Sequence, residues 1–225
     1  MKSKTKEVAM STVKNPAGYY EDIEADFDEI VLKSAMLEDI FYLKDLKQRK
    51  LFISDDISQE TIGDAVRHIM QINREDADIP VDERLPILLY VTSNGGDVDS
   101  GFELVDAIML SKTPVYTINL GYQYSMGFLI GLAGHKRFAT KNAKFLMHDG
   151  TNFVWDSGAK AQDRMEFNKK LEDRVKEYVL SRSKLTSEEY DSKRRVEWYM
   201  FSDEAKEKGF VDVIVGEDCD IEEII

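Results

Sequence analysis

Apolar and polar positions divide the chain into an acidic beginning and a longer patterned body. Positions 21–29 read EDIEADFDE, which is mostly acid, and residues 1–30 are expected to form a flexible acidic arm with little to bury. Apolar content rises from Val31. Ala35–Leu46 fits a short amphipathic helix, Leu51–Ile53 a short strand, and Ser58–Gln71 a helix with Ile62, Val66, Ile69 and Met70 on one face. The run REDADIPVDERLP, residues 74–86, reads as a charged loop.

The next stretch is patterned more sharply. Ile87–Thr92 (ILLYVT) is a continuous apolar strand of the kind covered on both faces, and Ser93-Asn94-Gly95-Gly96 breaks it. Phe102, Val105, Ile108 and Met109 follow at helical spacing, and Pro114 precedes a strand at Val115–Asn119. This is a β-turn-α-β unit suited to a parallel sheet. Gly121–Ser125 reads as a turn into an apolar helix, Met126–Ala133. Arg137–Thr140 and Lys144–Met147 are short strands, the second ending at His148. Ala159–Lys184 is one long helix with Phe167, Leu171, Val175 and Tyr178 as its stripe, long enough to project toward a partner subunit. Thr186 with Glu189 forms a capping box, Ser202 caps a helix closed at Gly209, and Phe210–Val215 is the last strand.

Composition narrows the function classes. At 225 residues the chain suits one α/β domain with small appendages, and 43% apolar residues can build a core. A net charge of −13 argues against wrapping nucleic acid and against anionic membranes. The single Cys219 has no internal disulfide partner, and no Cys/His cluster suggests a metal. MKSKTKEVAM leads into no apolar run of a secretory signal, and Met126–Gly134 is half of a membrane span. The expectation is a soluble, cytoplasmic protein without cofactor or metal.

Three features can carry chemistry. Ser125 sits between a strand and a helix that must be buried. Free N–H groups there would stabilise an oxyanion, although on this feature alone a plain helix cap is the commoner role of such a serine. Gly95-Gly96 ends a buried strand and lets backbone approach a ligand, or is an ordinary turn. His148 ends an apolar strand and gains a role only beside Ser125, as the base that takes the hydroxyl proton. Gln123 stands where a nucleophile elbow needs glycine, and Walker, H-E-x-x-H and G-x-G-x-x-G motifs are absent.

Together these segments resemble a known family. Tyr90–Gly96 (YVTSNGG), Gly121–Gly127 (GYQYSMG), Phe145–His148 (FLMH) and Ser202–Asp212 (SDEAKEKGFVD) are similar, in order, to the signature segments of the Clp protease proteolytic subunit family, ClpP. The resemblance covers roughly residues 36–216 and marks a divergent member. It implies an α/β fold, the ClpP/crotonase-type β-β-α superhelix with a protruding strand-plus-long-helix handle at about residues 150–184. A peptidase domain would span 31–218, followed by a tail at 219–225.

By position, the resemblance makes Ser125 the nucleophile and His148 the general base, with Gly95 and Met126 giving oxyanion-hole N–H groups. Glu197 falls where the family has an aspartate, with Phe201 in place of a small serine; Asp191 and Asp203 are alternatives for the acid. Asp149-Gly150 replaces the family's usual Gln-Pro, and residues 78–86 lengthen the loop before the Gly-Gly strand. The implied activity is a serine endopeptidase subunit of a self-compartmentalised ring protease, cleaving unfolded polypeptides or short peptides. The implied partners are other copies, as heptameric rings stacked into a tetradecamer, and an AAA+ unfoldase of the ClpX, ClpA or ClpC kind. Tyr90 matches a position lining the apolar pocket where that ATPase docks. Two alternatives stand beside it: a catalytically impaired ring subunit, and a crotonase-type acyl-CoA enzyme, which would use carboxylates where Ser125 and His148 stand.

Overall fold

The computed structural model describes residues 37–150 and 157–225. The expected acidic arm and the start of the expected handle, residues 151–156, lie outside them. The described residues fall into two units, one ending at Gln48 and the other running Arg49–Ile225. The first contributes helix α1 (Leu37–Lys47), with Lys44 and Lys47 in the last turn, where positive charge suits the helix dipole.

The second unit is built on a parallel sheet. Strands β1 (Lys50–Ile53), β2 (Ile87–Val91), β3 (Val115–Asn119), β5 (Lys136–Thr140) and β8 (Val213–Val215) lie side by side in that order. Every residue of β2 is buried, as its unbroken apolar run requires. Helix α2 (Gln59–Glu75) connects β1 to β2, and α3 (Val98–Leu110) connects β2 to β3. Ser58 and Thr61 cap α2 reciprocally, and Asp97 caps α3 by accepting the Ser100 N–H at 2.8 Å.

The faces of these helices differ from the sequence expectation. α2 buries Ile62, Ala65, Ile69 and Ile72, while Met70 is 59% exposed; α3 buries Leu104, Val105 and Ile108, while Met109 is 45% exposed. Apolar residues flank the true stripe on both helices, so size alone misplaced it by one position.

A second, three-stranded sheet stands beside the first: β4 (Tyr122–Tyr124), β6 (Lys144–Met147) and β7 (Trp198–Phe201). β4 runs parallel to β6 and β7 antiparallel to it. The expected turn at Gly121–Ser125 is therefore largely strand, paired with residues twenty positions on. The sheets are joined where Ser93 and Gln123 pair through Ser93 N–H to Tyr122 O (3.1 Å) and Tyr124 N–H to Ser93 O (2.9 Å).

Helix α4 (Met126–Leu132) is buried almost throughout. Its C-terminal carbonyls are satisfied by the Arg182 guanidinium, which donates to Leu132, Ala133 and Gly134. Arg182 follows the long helix α5 (Gly158–Ser181), which carries the expected stripe but buries only Val179 and leaves Phe167 62% exposed. Short helix α6 (Ser187–Lys193) is capped by Thr186, whose hydroxyl accepts the Glu189 N–H at 3.1 Å. Ser202 does not cap helix α7 (Ser202–Glu207) as expected. Its buried hydroxyl donates to the Thr140 carbonyl at 2.6 Å, locking β7 to the end of β5. The last strand is shorter than the expected 210–215, because Phe210 and Val211 turn into the core under α4 and β7. Residues 219–225 include Ile224, buried against Leu88, Tyr90, Ile118 and Phe138.

Candidate active site

β4 delivers Ser125 to the start of α4 in a constrained conformation. Its backbone stands at φ 52° and ψ −119°, a left-handed geometry costing about 1–3 kcal/mol in a non-glycine residue. The surroundings enforce it. Ser125 N–H donates to the Leu146 carbonyl at 3.0 Å, extending the β4–β6 ladder, while its carbonyl accepts from Phe128 and Leu129 N–H at 3.0 and 3.2 Å. Ser125 occupies the N-cap position but makes no side-chain cap. Its Oγ is left uncommitted, against the plain capping role that the sequence alone left open.

The glycine turn after β2 closes over this residue. Gly95 has φ +106°, and a Cβ there would lie 2.7 Å from the Ser125 Cβ and 3.0 Å from the Met126 nitrogen. Only glycine allows that approach. Gly96, at φ +146°, abuts the Ile57 backbone, whose N–H donates to the Gly95 carbonyl at 2.7 Å. Gly95 N–H itself donates to the Ser93 hydroxyl at 3.1 Å. In a trans peptide N–H and C=O point opposite ways, so Gly96 N–H is directed away from Ile57. Met126 N–H opens α4 and has no carbonyl one turn back to bond.

His148 follows β6, half-buried, and Ser125, Met126 and His148 share the wall of one pocket of about 90 Å³. Met147, Leu171 and Val175 make its apolar lining. α5 is held against α4 on this side by Tyr178, whose hydroxyl donates to the Leu129 carbonyl at 2.8 Å. Burial pushes the Tyr178 phenol well above its ordinary range, so it stays a neutral donor. Asp149 is exposed, and its N–H donates to the Arg194 carbonyl at 2.7 Å.

The acid candidates separate. Glu197 does not line the pocket. It is exposed one residue before β7, its Oε2 accepting the Tyr199 hydroxyl at 3.1 Å. The β6–β7 ladder ends at Met147 opposite Trp198, so His148 and Glu197 are each the first residue beyond its last pair. Asp191 is engaged by Lys176 at 2.6 Å, and Asp203 is exposed in the first turn of α7. Among the described residues, no group of three or more His, Cys, Asp or Glu could hold a metal ion.

Three residues that the sequence did not single out complete the setting. Ser93 is buried and holds the Gly95 amide. Gly101 makes room for the Met126 side chain, which a Cβ there would overlap. Tyr199 meets Glu197. A serine and an aromatic among many carry no sequence signal for such roles, whereas Gly101, unfavourable inside a helix, carried one.

A family model described as Clp protease matches residues 33–218. The chain belongs to the Clp protease family. Among the relatives of this Clp family chain, "ATP-dependent Clp protease proteolytic subunit 2" of Treponema pallidum is 37% identical over 113 residues, 49% of this chain and 54% of that protein. The chain thus matches about half the length of that relative. "ATP-dependent Clp protease proteolytic subunit 1" of Bacillus cereus is 28% identical over 176 residues, covering 77% of this chain and 88% of that protein. The mixed α/β architecture with its mostly parallel sheet agrees with the ClpP fold expected from the four signature segments. No described helix is long and apolar enough to cross a membrane.

Proposed function

We propose that the chain is a serine endopeptidase subunit of a ring protease that cleaves unfolded polypeptides or short peptides. The observation that carries this reading is Ser125 itself: a non-glycine residue held at positive φ, its hydroxyl outside any cap, sharing a pocket with His148. Strain of this kind persists only where surrounding structure imposes it, and it clusters at reacting groups.

In the proposed reaction Ser125 Oγ attacks a peptide carbonyl and His148 accepts its proton. The oxyanion forms beside Met126 N–H and the Gly95 turn. Within that turn Gly96 N–H is better directed to receive it, because Gly95 N–H is engaged by Ser93. His148 returns the proton to the leaving amine, and water attacks the acyl-serine through the same base. Glu197 would hold the imidazole tautomer and stabilise the imidazolium. The partners we propose are other copies of the subunit and an AAA+ unfoldase that feeds the chamber, as the names of the relatives include ATP dependence. The exposed face of α5, matching the handle, supports stacking of rings.

A second reading, a ring subunit without efficient hydrolysis, draws support from the Glu197 carboxylate, which bonds Tyr199 rather than His148. Labelling with a fluorophosphonate, read by intact mass, separates the two. The first predicts one adduct on the wild type and none on Ser125→Ala; a wild type that forms rings yet takes no adduct overturns it in favour of the second.

A further inference from the structure

Glutamate at position 197 poses a physical problem that an aspartate would not. Its extra methylene adds a rotatable bond, so a carboxylate on the exposed shoulder of β7 has more freedom to leave the imidazole. The ladder between β6 and β7 also ends there: beyond Met147–Trp198 the next bond is Asp149 N–H to Arg194 O, so residues 195–197 bulge away from regular pairing. Nothing in the backbone fixes where the Glu197 carboxylate sits.

A row of side chains across the small sheet does. Tyr124, Leu146 and Tyr199 are register partners on β4, β6 and β7. The Tyr124 and Tyr199 rings meet edge to face, centroids 5.7 Å apart at 89°, and Tyr124 leans in turn on Tyr122 at 5.1 Å. The tyrosine beside the nucleophile thereby fixes a tyrosine on the acid strand. Tyr199 has few torsions to freeze and ends in a hydroxyl 3.1 Å from Glu197 Oε2.

We propose that Tyr199 is the positioning residue that lets a glutamate serve this site, its hydroxyl pinning one oxygen of Glu197 and leaving the other to His148. This rests on the reading of Glu197 as the triad acid. An ionised carboxylate has about four acceptor positions, so one tyrosine bond leaves room for the imidazole N–H. The phenol is raised above its ordinary range, first by that same bond, and remains the donor.

The test is the rate of fluorophosphonate labelling of Ser125 against pH for the wild type, Tyr199→Phe, Glu197→Gln and the double variant. Phenylalanine keeps the ring contact with Tyr124 and removes only the hydroxyl. Tyr199→Phe is expected to slow labelling about tenfold. It should also displace the acidic limb of the profile in the same sense as Glu197→Gln, because both substitutions act through the same base. Glu197→Gln should do the same more strongly, and the double variant should be no slower than Glu197→Gln alone. If Glu197→Gln labels like the wild type, the acid assignment falls and the proposal with it. If Glu197→Gln is slow but Tyr199→Phe matches the wild type in rate and profile, only the tyrosine proposal falls. Faster labelling by Tyr199→Phe would overturn it too, showing that the hydroxyl draws the carboxylate away.

Discussion

Gly95 shows how much of the site hangs on single atoms. Its α-carbon lies against Ser125 and Met126, and its carbonyl is bound to Ile57. A methyl group there would collide with the Ser125 Cβ and favour negative φ, so the turn would have to back away from Ser125. Gly95→Ala is expected to lower the labelling rate of Ser125 about a hundredfold, the scale of losing one oxyanion donor. The folded core should survive, because the collision is with the site and not with the sheet; circular dichroism beside labelling checks both. Gly101 acts one step further back: a methyl there would overlap the Met126 side chain and force it to repack.

Among the elements, the starts of β1 and β3 are tied by one buried carboxylate. Asp76, 1% exposed at the C-cap of α2, takes both Arg49 guanidinium nitrogens at 2.7 Å and the Thr113 hydroxyl at 2.8 Å. The Arg49 bond holds the Asp76 carboxyl below its ordinary range, and Thr113 adds to this. The folded chain therefore binds this proton less readily than the unfolded chain. The contribution is complete above about pH 4, the ordinary carboxylate value, and is lost as pH falls through the lower folded value. Asp76→Asn is expected to cost about 2–3 kcal/mol at neutral pH, less than a fully buried pair because Arg49 is partly exposed. It should also flatten the loss of stability below about pH 4; urea midpoints measured across that range check both. The elements also show what could be read beforehand. β3 and β6 lie where the sequence placed them, since Pro114 and His148 bound short apolar runs. β4 escaped notice because Tyr-Gln-Tyr becomes a strand only by pairing with residues that fold in from twenty positions away. In the site, Ser125, Met126, His148 and the glycine turn stand out because each sits at a strand end. Ser93 and Tyr199 act through hydrogen bonds that only the finished fold creates.

For the whole molecule, the first half of α5 is the conspicuous surface. Met165 is 65% exposed and Phe167 62%, and apolar side chains so exposed suit the seam of the proposed ring stacking. Under the ring stacking proposed above, replacing both with glutamate is expected to convert double rings into single ones, as sedimentation velocity would show. The order of strands has a further consequence, in time. β7 completes the small sheet by pairing with β6, and β8 completes the large one by pairing with β5, although both lie at least fifty residues later in the chain. Such distant pairings form late and slowly. During synthesis, which proceeds from the N-terminus, Ser125 and His148 emerge well before the strand that follows Glu197. A nascent chain would thus expose Ser125 and His148 before the strands that finish the two sheets have been made, and the pocket between them would take its final shape only once those strands pair.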